Sequence, residues 1–335
     1  MATISLCMIV KNEEKILRRC IDSLKGIYDE AIIVDTGSTD CTKAIAGEYT
    51  DKVYDFEWID DFAAARNFAM SKATCDYIYM ADADEVLDEE NRRKFKILKA
   101  ALDGGVEVVQ MYYVNQLSNG SVYNFDREPR AKLYKRVRNF EFVDPIHEVI
   151  REAPIVYDSD IDIMHLQEES HAGRDLRTFR KAIEKHGQLS RRLIPMYARE
   201  LMLAGTDEDF VLAKDYFEGL SEDENLDNDL LKMVCVVLTK VAVIEKDANR
   251  VLKFALKDVA SEGSSDMCSL LGSYFEELGD LKEAVLWYYN ARYETKAILD
   301  INSMGKTPLE GLIRIYEVLG LKEEALKYQE ELCNI

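Results

Sequence analysis

The first half of the chain alternates short apolar runs with stretches of helical spacing. Ile4–Val10 is a continuous apolar run of strand length, and Asn12-Glu13-Glu14 then offers an N-cap and acidic first turn to a helix carrying Ile16, Leu17, Ile21 and Leu24. Gly26 stops that helix. Ala31–Val34 reads as a second buried strand, followed by the polar turn Asp35–Asp40 and a helix through Ala44, Ile45 and Tyr49. Two such β-α units in succession predict a parallel sheet. Val53–Phe56 is a third short strand, Phe62–Ala73 a helix, Tyr77–Ala81 a fourth strand and Glu89–Leu102 a further helix. Beyond it Val106–Leu117, Ser121–Asn124 and Ala131–Arg136 read as β segments around the turn Ser118-Asn119-Gly120, which predicts an antiparallel or mixed extension of the sheet.

Around His171-Ala172-Gly173 the pattern changes, and helical spacing replaces alternation to the end of the chain. Tyr274–Ala284 and Tyr316–Ala325 are alike: each reads helix, Leu-Gly stop, second helix, with Glu-Ala and then Tyr288 or Tyr328 on the second helix. Leu201–Phe217 is a degenerate earlier copy. The two clear copies are spaced more widely than the ~34-residue period of tetratricopeptide units, which they otherwise resemble. This division predicts an α/β domain over 1–172 and an all-α domain over 173–335.

Length and composition fit that division. The 335 residues allow two domains with full cores, and 47% apolar with 32% charged residues is the balance of a folded protein. A net charge of −20 repels polyphosphate and anionic lipid, which argues against general nucleic-acid binding and membrane-surface attraction. No apolar run reaches the ~18 residues of a membrane span, and the chain opens directly on strand-like sequence, so the expected location is cytoplasmic. Seven scattered cysteines without a C-x-x-C pair read as structural thiols.

Three segments carry candidate chemistry. Asp82-Ala83-Asp84-Glu85 lies at the carboxyl end of an apolar strand, where open parallel sheets bind ligands. Carboxylates crowded there suit a divalent cation with oxygen ligands, Mg²⁺ or Mn²⁺. Taken alone, the motif reads first as an acidic turn before the next helix. Asp35-Thr36-Gly37-Ser38-Thr39-Asp40 again places polar groups at a strand end: Asp35 can accept from a nucleobase N–H, and Gly37 admits close approach. The competing reading is an Asx turn with a helix cap. Asp-Thr-Gly-Ser is also an aspartic-protease signature, but that enzyme needs a second copy and this chain has none. Asp61–Asn67 supplies Arg66, whose fork geometry suits phosphate. A haloacid-dehalogenase phosphatase would also use D-x-D-x-[TV], as in Asp82–Val86, but on an early strand, whereas three βα units precede it here.

In this order the three segments resemble the family 2 glycosyltransferases of GT-A fold. Ile4–Glu14 is similar to their opening strand and turn, Val34–Thr42 to the nucleoside-binding segment and Asp82–Asp84 to the D-x-D motif. Trp58–Asn67 followed by Asp76–Glu85 resembles the subgroup joined to tetratricopeptide-like helices. The resemblance implies an α/β GT-A domain, Rossmann-like with a mixed sheet, followed by an all-α tetratricopeptide-like domain. It implies transfer of a sugar, with inversion, from a UDP-sugar to a hydroxyl or thiol of a peptide, protein or cell-envelope glycan. Asp84, Asp82 and His165 would then hold Mn²⁺ or Mg²⁺, while Asp35, Thr36, Gly37, Arg66, Asn67, Asp82, Ala83 and His147 would contact the nucleotide-sugar.

An inverting transfer needs a carboxylate general base. Phe142–Glu148 offers Glu148 first and Asp144 second, in a segment that departs from the commoner Glu-Asp motif of the family. Arg127, Arg130, Lys132 and Arg136 form a basic stretch that reads as solvated strand charge, with diphosphate or an acidic acceptor as the sharper alternative. Tyr274, Trp287, Tyr288, Tyr289, Tyr293 and Tyr316 read as helical core; a concave surface for a protein acceptor, or for a second copy of the chain in a homodimer, is the alternative. A non-catalytic scaffold that holds nucleotide-sugar and recruits partners is the rival function.

Overall fold

A computed structural model describes residues 1–102, 104–115, 127–166 and 172–335. The chain forms two compact units, Met1–Ser170 and His171–Ile335. The first holds β1 (Ile4–Val10), α1 (Leu17–Ser23), β2 (Glu30–Asp35), α2 (Thr42–Gly47), β3 (Val53–Asp55), α3 (Phe62–Ser71), β4 (Tyr77–Ala81), β5 (Glu85–Val86), α4 (Glu89–Ala101), β6 (Val108–Asn115), β7 (Arg127–Lys135), β8 (Phe142–Val143), β9 (Val149–Ile150) and β10 (Val156–His165). One sheet runs β3-β2-β1-β4-β7-β6-β10-β5, and β8 pairs with β9 apart from it. Strands β1 to β4 are parallel, whereas β7 runs antiparallel to both β4 and β6. The mixed sheet therefore starts at β7.

The near-continuous apolar strands follow from burial on both faces. Leu6, Met8, Ile33, Tyr77 and Tyr79 pack with Leu17, Ile21, Ile45 and Phe95 from α1, α2 and α4. Their alternates Cys7, Ile32, Val34, Ile78 and Met80 pack with Ala63, Ala69 and Met70 of α3 and with Phe142 of β8. The two-residue period thus places three helices on one side of the sheet and α3 with the β8 segment on the other.

Two local expectations change. Asn12 does not cap α1: its backbone is left-handed (φ 57°), and its side chain crosses to the next loop, where Oδ1 accepts the Thr39 N–H at 2.8 Å. The strand expected at Ala131–Arg136 begins earlier, as β7 opens at Arg127. The expected turn Ser118-Asn119-Gly120, the segment Ser121–Asn124 and His171 lie outside the described residues.

The second unit is helical throughout its described residues: α5 (Ala172–His186), α6 (Leu193–Ala204), α7 (Asp207–Ser221), α8 (Asn228–Ile244), α9 (Ala248–Val259), α10 (Ser265–Glu277), α11 (Leu281–Tyr293), α12 (Lys306–Val318) and α13 (Lys322–Leu332). The two similar segments are the junctions α10–α11 and α12–α13, where Gly279 (φ 79°) and Gly320 (φ 73°) take the left-handed conformation that ends a helix. Tyr288 is wedged between Gly272 of α10 and Gly311 of α12, and a Cβ on Gly272 would sit 2.6 Å from its ring. Tyr288 is core, but Tyr289 and Tyr293 are exposed. No helix among the described residues is long and apolar enough to cross a membrane.

Candidate active site

The carboxyl ends of β2 and β4 flank that of β1, so the loops they carry stand two strand spacings, roughly 10 Å, apart. At the β2 end Asp35 is 3% exposed. Its Oδ1 accepts the N–H groups of Gly37 (3.0 Å) and Ser38 (2.9 Å), an Asx turn. Its Oδ2 is buried and has no hydrogen-bond partner among the described residues. Thr36 is committed to the Val10 carbonyl through both N–H (3.0 Å) and Oγ1 (3.1 Å). Gly37 has φ 98° and open space where a Cβ would be, which leaves room beside Asp35. The rim is tied to the neighbouring loop by the Asn12–Thr39 bond, by Glu13 N–H to Thr42 Oγ1 (2.6 Å) and by Glu14 N–H to Asp40 (3.2 Å). The loop at the β2 end is therefore held in place by bonds within the protein.

At the β4 end the two aspartates part company. Asp82 faces a cationic wall: Arg66 Nη2 donates to Oδ1 at 2.9 Å, the Tyr113 hydroxyl donates to Oδ2 at 3.3 Å, and Lys132 Nζ lies 3.8 Å away. Burial works against its ionisation, but Arg66 and Lys132 outweigh that and hold its carboxyl well below the usual range. Asp84 instead meets His165, with Oδ2 and Nε2 3.0 Å apart. The fold makes that meeting. Strand β5 pairs antiparallel with the end of β10, setting His165 opposite Glu85, and Leu166 N–H donates to the Asp84 carbonyl at 2.8 Å.

Arg66 also donates through Nε to Glu148, so one guanidinium with a 13% exposed side chain bridges Asp82 and Glu148. Helix α3 holds the whole Phe142–Glu148 segment. Asn67 donates to the Phe142 carbonyl (2.9 Å) and accepts the Phe142 N–H (2.8 Å), and Phe62 N–H donates to the Pro145 carbonyl (2.8 Å). The Asn67 amide thereby fastens backbone. Asp144 (φ 72°) and His147 (φ 49°) both adopt the left-handed backbone that non-glycine residues rarely take. They lie on the loop that delivers Glu148. Ala83 is buried between the two aspartates.

Behind Asp82 lies a pair not expected from the sequence. Lys132, read there as solvated strand charge, is 4% exposed and donates to Glu85 Oε1 at 2.6 Å and to the Tyr113 hydroxyl at 3.2 Å. Burial pushes the Glu85 carboxyl up to about 8 in spite of Lys132. The other cations disperse: Arg127 pairs with Asp162 (2.7 Å), Arg130 with Glu128 (2.6 Å) and Arg136 with the Cys75 carbonyl (2.5 Å). The signal available in the sequence was one lysine inside Ala131–Tyr134, where β7 is buried on both sides.

The donor chemistry of Asp84 and His165, one carboxylate oxygen and one imidazole nitrogen side by side at a strand end, fits Mn²⁺. Among the described residues no cluster of three or more such ligands occurs. A cation held by these two would keep positions open for phosphate oxygens and water.

Residues 5–161 match the family Glycosyl transferase family 2. A TPR repeat-containing protein of Synechococcus elongatus is 39% identical over 153 residues, 45% of this chain and 36% of that protein. The SPbeta prophage-derived glycosyltransferase SunS of Bacillus subtilis is 30% identical over 149 residues, 44% of this chain and 34% of that protein. The chain thus spans about a third of the length of these relatives. Among solved structures, S. aureus TarS 1-349 is 14% identical over 87% of this chain and 91% of that one, with a TM-score of 0.39. The family match lies within the first unit, Met1–Ser170, which carries the similarity to glycosyl transferase family 2.

Proposed function

We propose that the protein transfers a sugar from a UDP-sugar to a hydroxyl or thiol acceptor on a peptide, protein or glycan, in one inverting displacement at the β2 and β4 strand ends. The observation that carries this reading is the unpartnered, buried Asp35 Oδ2 beside open space at Gly37, two strands from the Asp84–His165 pair. A buried carboxylate oxygen without a donor is costly, and uracil presents one ring N–H to satisfy it. The span between the two strand ends matches nucleoside to diphosphate.

Asp84 and His165 would hold Mn²⁺ or Mg²⁺, which when bound supplies positive charge to the departing diphosphate. Arg66 adds a fixed guanidinium on the same side, already charged and pre-placed, so it stabilises developing negative charge without reorganising. Glu148 takes the acceptor proton as the acceptor oxygen or sulfur bonds to the anomeric carbon and the carbon–oxygen bond to the diphosphate breaks. Asp144, on the same loop, is the second choice for that role. Asn67 and the Phe62–Pro145 bond hold the loop against α3, which keeps Glu148 at a constant distance from the donor side. We assign the residues over 1–172 to catalysis and the tetratricopeptide-like helices over 173–335 to acceptor or self-association.

The test is nucleoside diphosphate release from UDP-, GDP-, CDP- and TDP-sugars with Mn²⁺, Mg²⁺ or EDTA. Metal-dependent release from a UDP-sugar, reduced at least 100-fold in Glu148→Gln with donor binding intact, is the expected result. Binding of UDP-sugar without release in the presence of any acceptor would move the assignment to the scaffold reading.

A further inference from the structure

Tyr113 touches both Asp82 and His165 at the β4 end of the proposed donor site and belongs to no motif that suggested the site. Its ring stacks on the His165 imidazole, with centroids 5.2 Å apart and planes at 26°. Its hydroxyl donates to Asp82 Oδ2 at 3.3 Å and accepts from Lys132 Nζ at 3.2 Å. The strand register places it there: on β6, Tyr113 lies beside Ile163 of β10, two residues before His165. Lys132 in turn is anchored by Glu85 at 2.6 Å, a pair almost fully buried. The tyrosine hydroxyl therefore relays a fixed position from the buried, hydrogen-bonded Lys132–Glu85 pair to Asp82, while its ring limits the rotation of His165.

We propose that Tyr113 is a positioning residue for the donor site, its ring orienting the His165 imidazole and its hydroxyl orienting the Asp82 carboxylate. This inference rests on the reading of Asp82, Asp84 and His165 given above. The two parts of the side chain have separable consequences. Tyr113→Phe keeps the ring and drops the hydroxyl, so the His165 orientation is retained and Asp82 loses one of its tethers. Tyr113→Leu drops both. A ligand side chain free to rotate must be ordered when the cation binds, and disturbing the groups that orient a metal-ligating histidine typically costs 10–100-fold in affinity.

The experiment combines three measurements on the full chain. With four histidines in the sequence, imidazole carbon-bound proton resonances can be assigned by substitution. The ring current of Tyr113 should move the His165 resonances upfield in wild type and in Tyr113→Phe and leave them near free-histidine positions in Tyr113→Leu. Calorimetric Mn²⁺ titration should then give an affinity within twofold of wild type for Tyr113→Phe and about tenfold weaker for Tyr113→Leu. Titration of UDP at saturating Mn²⁺ should weaken about three- to tenfold already in Tyr113→Phe. Both variants are compared at a temperature where circular dichroism shows them folded. Wild type that binds neither Mn²⁺ nor UDP would overturn the proposed function itself. Wild type that binds both, with folded Tyr113→Leu binding equally well or with His165 resonances unmoved by it, would overturn only the role of Tyr113.

Discussion

Glu30, at the opposite end of the sheet from the site, separates stability from function. Its carboxylate, with an 11% exposed side chain, pairs with Lys52 and accepts from Ser5 Oγ, from Thr74 N–H (2.6 Å) and Oγ1 (2.9 Å), and from Cys75 N–H (3.2 Å). Burial alone would raise its pKa. The Lys52, Ser5 and Thr74 bonds overcome that and bring it to about 2 from an ordinary 4.5. A depressed folded-state pKa means that the unfolded chain binds more protons between pH 2 and 4.5. The stabilisation is therefore complete above the unfolded value and is lost as pH falls through that window. At roughly 1.4 kcal/mol per pH unit, ionised Glu30 contributes about 3 kcal/mol at pH 7 and about half of that at pH 3. Glu30→Gln mimics the neutral carboxyl, so its destabilisation should follow the same two values. Trp58 and Trp287, the two tryptophans of the chain, lie one in each unit, so urea titration of Trp58 fluorescence in a Trp287→Phe background reports the first unit alone. Activity per folded molecule should be unchanged, because Glu30 lies at the amino end of β2 and the site at its carboxyl end. Equal destabilisation at pH 7 and pH 3 would refute the linkage argument, and a lost kcat in the folded variant would refute the placement of the site.

Three further outcomes follow from named contacts. Asp35→Asn keeps the Asx-turn carbonyl but turns an amide donor toward a base N–H; UDP affinity should fall at least tenfold by calorimetry, with little change in Tm. Lys132→Met leaves Glu85, which is 2% exposed, without its buried hydrogen-bond partner; an unsatisfied buried polar group costs about 1–3 kcal/mol, and the double variant Lys132→Met/Glu85→Met, which removes both partners, should recover most of that loss in urea titrations. Gly272→Ala drives a methyl group into the Tyr288 ring; it should cost about 1–3 kcal/mol from overpacking, read by Trp287 fluorescence in a Trp58→Phe background.

The strands and helices of the first unit were legible because both faces of its sheet are covered, so apolar runs and turn residues mark its elements directly. Asp35, Asp82 and Asp84 were legible as chemistry because they end apolar strands. Their division of labour was not, since the turn of Asp82 toward Arg66 and of Asp84 toward His165 is decided by β7 and β10, which arrive 50 to 80 residues later. The same distance hid Lys132 and Tyr113: an isolated lysine on an edge-like strand reads as solvated until β4 is known to pair with it. Asn12 was misread for a related reason. A residue after a strand and before a helix has the position of a cap, but the parallel β1–β2 register brings the next loop within reach of its side chain, and that bond prevailed. In the helical half, glycine stops marked the junctions, whereas the N-cap at Asp280 was not read and the wide spacing of the two similar segments gave no guide to which aromatics face the core.

In the function proposed above, the β2 and β4 strand ends form one donor site, with Asp35 on the nucleoside and Asp84 and His165 on a cation. Calorimetric titration of UDP into wild type and into Asp84→Asn/His165→Ala, each with Mn²⁺ or EDTA, tests it most directly. Wild type should bind UDP in a Mn²⁺-dependent manner, and the double variant should keep a weak residual affinity that no longer responds to Mn²⁺. UDP binding that is equally tight with EDTA, or a double variant that keeps its full Mn²⁺ response, would contradict the proposed function.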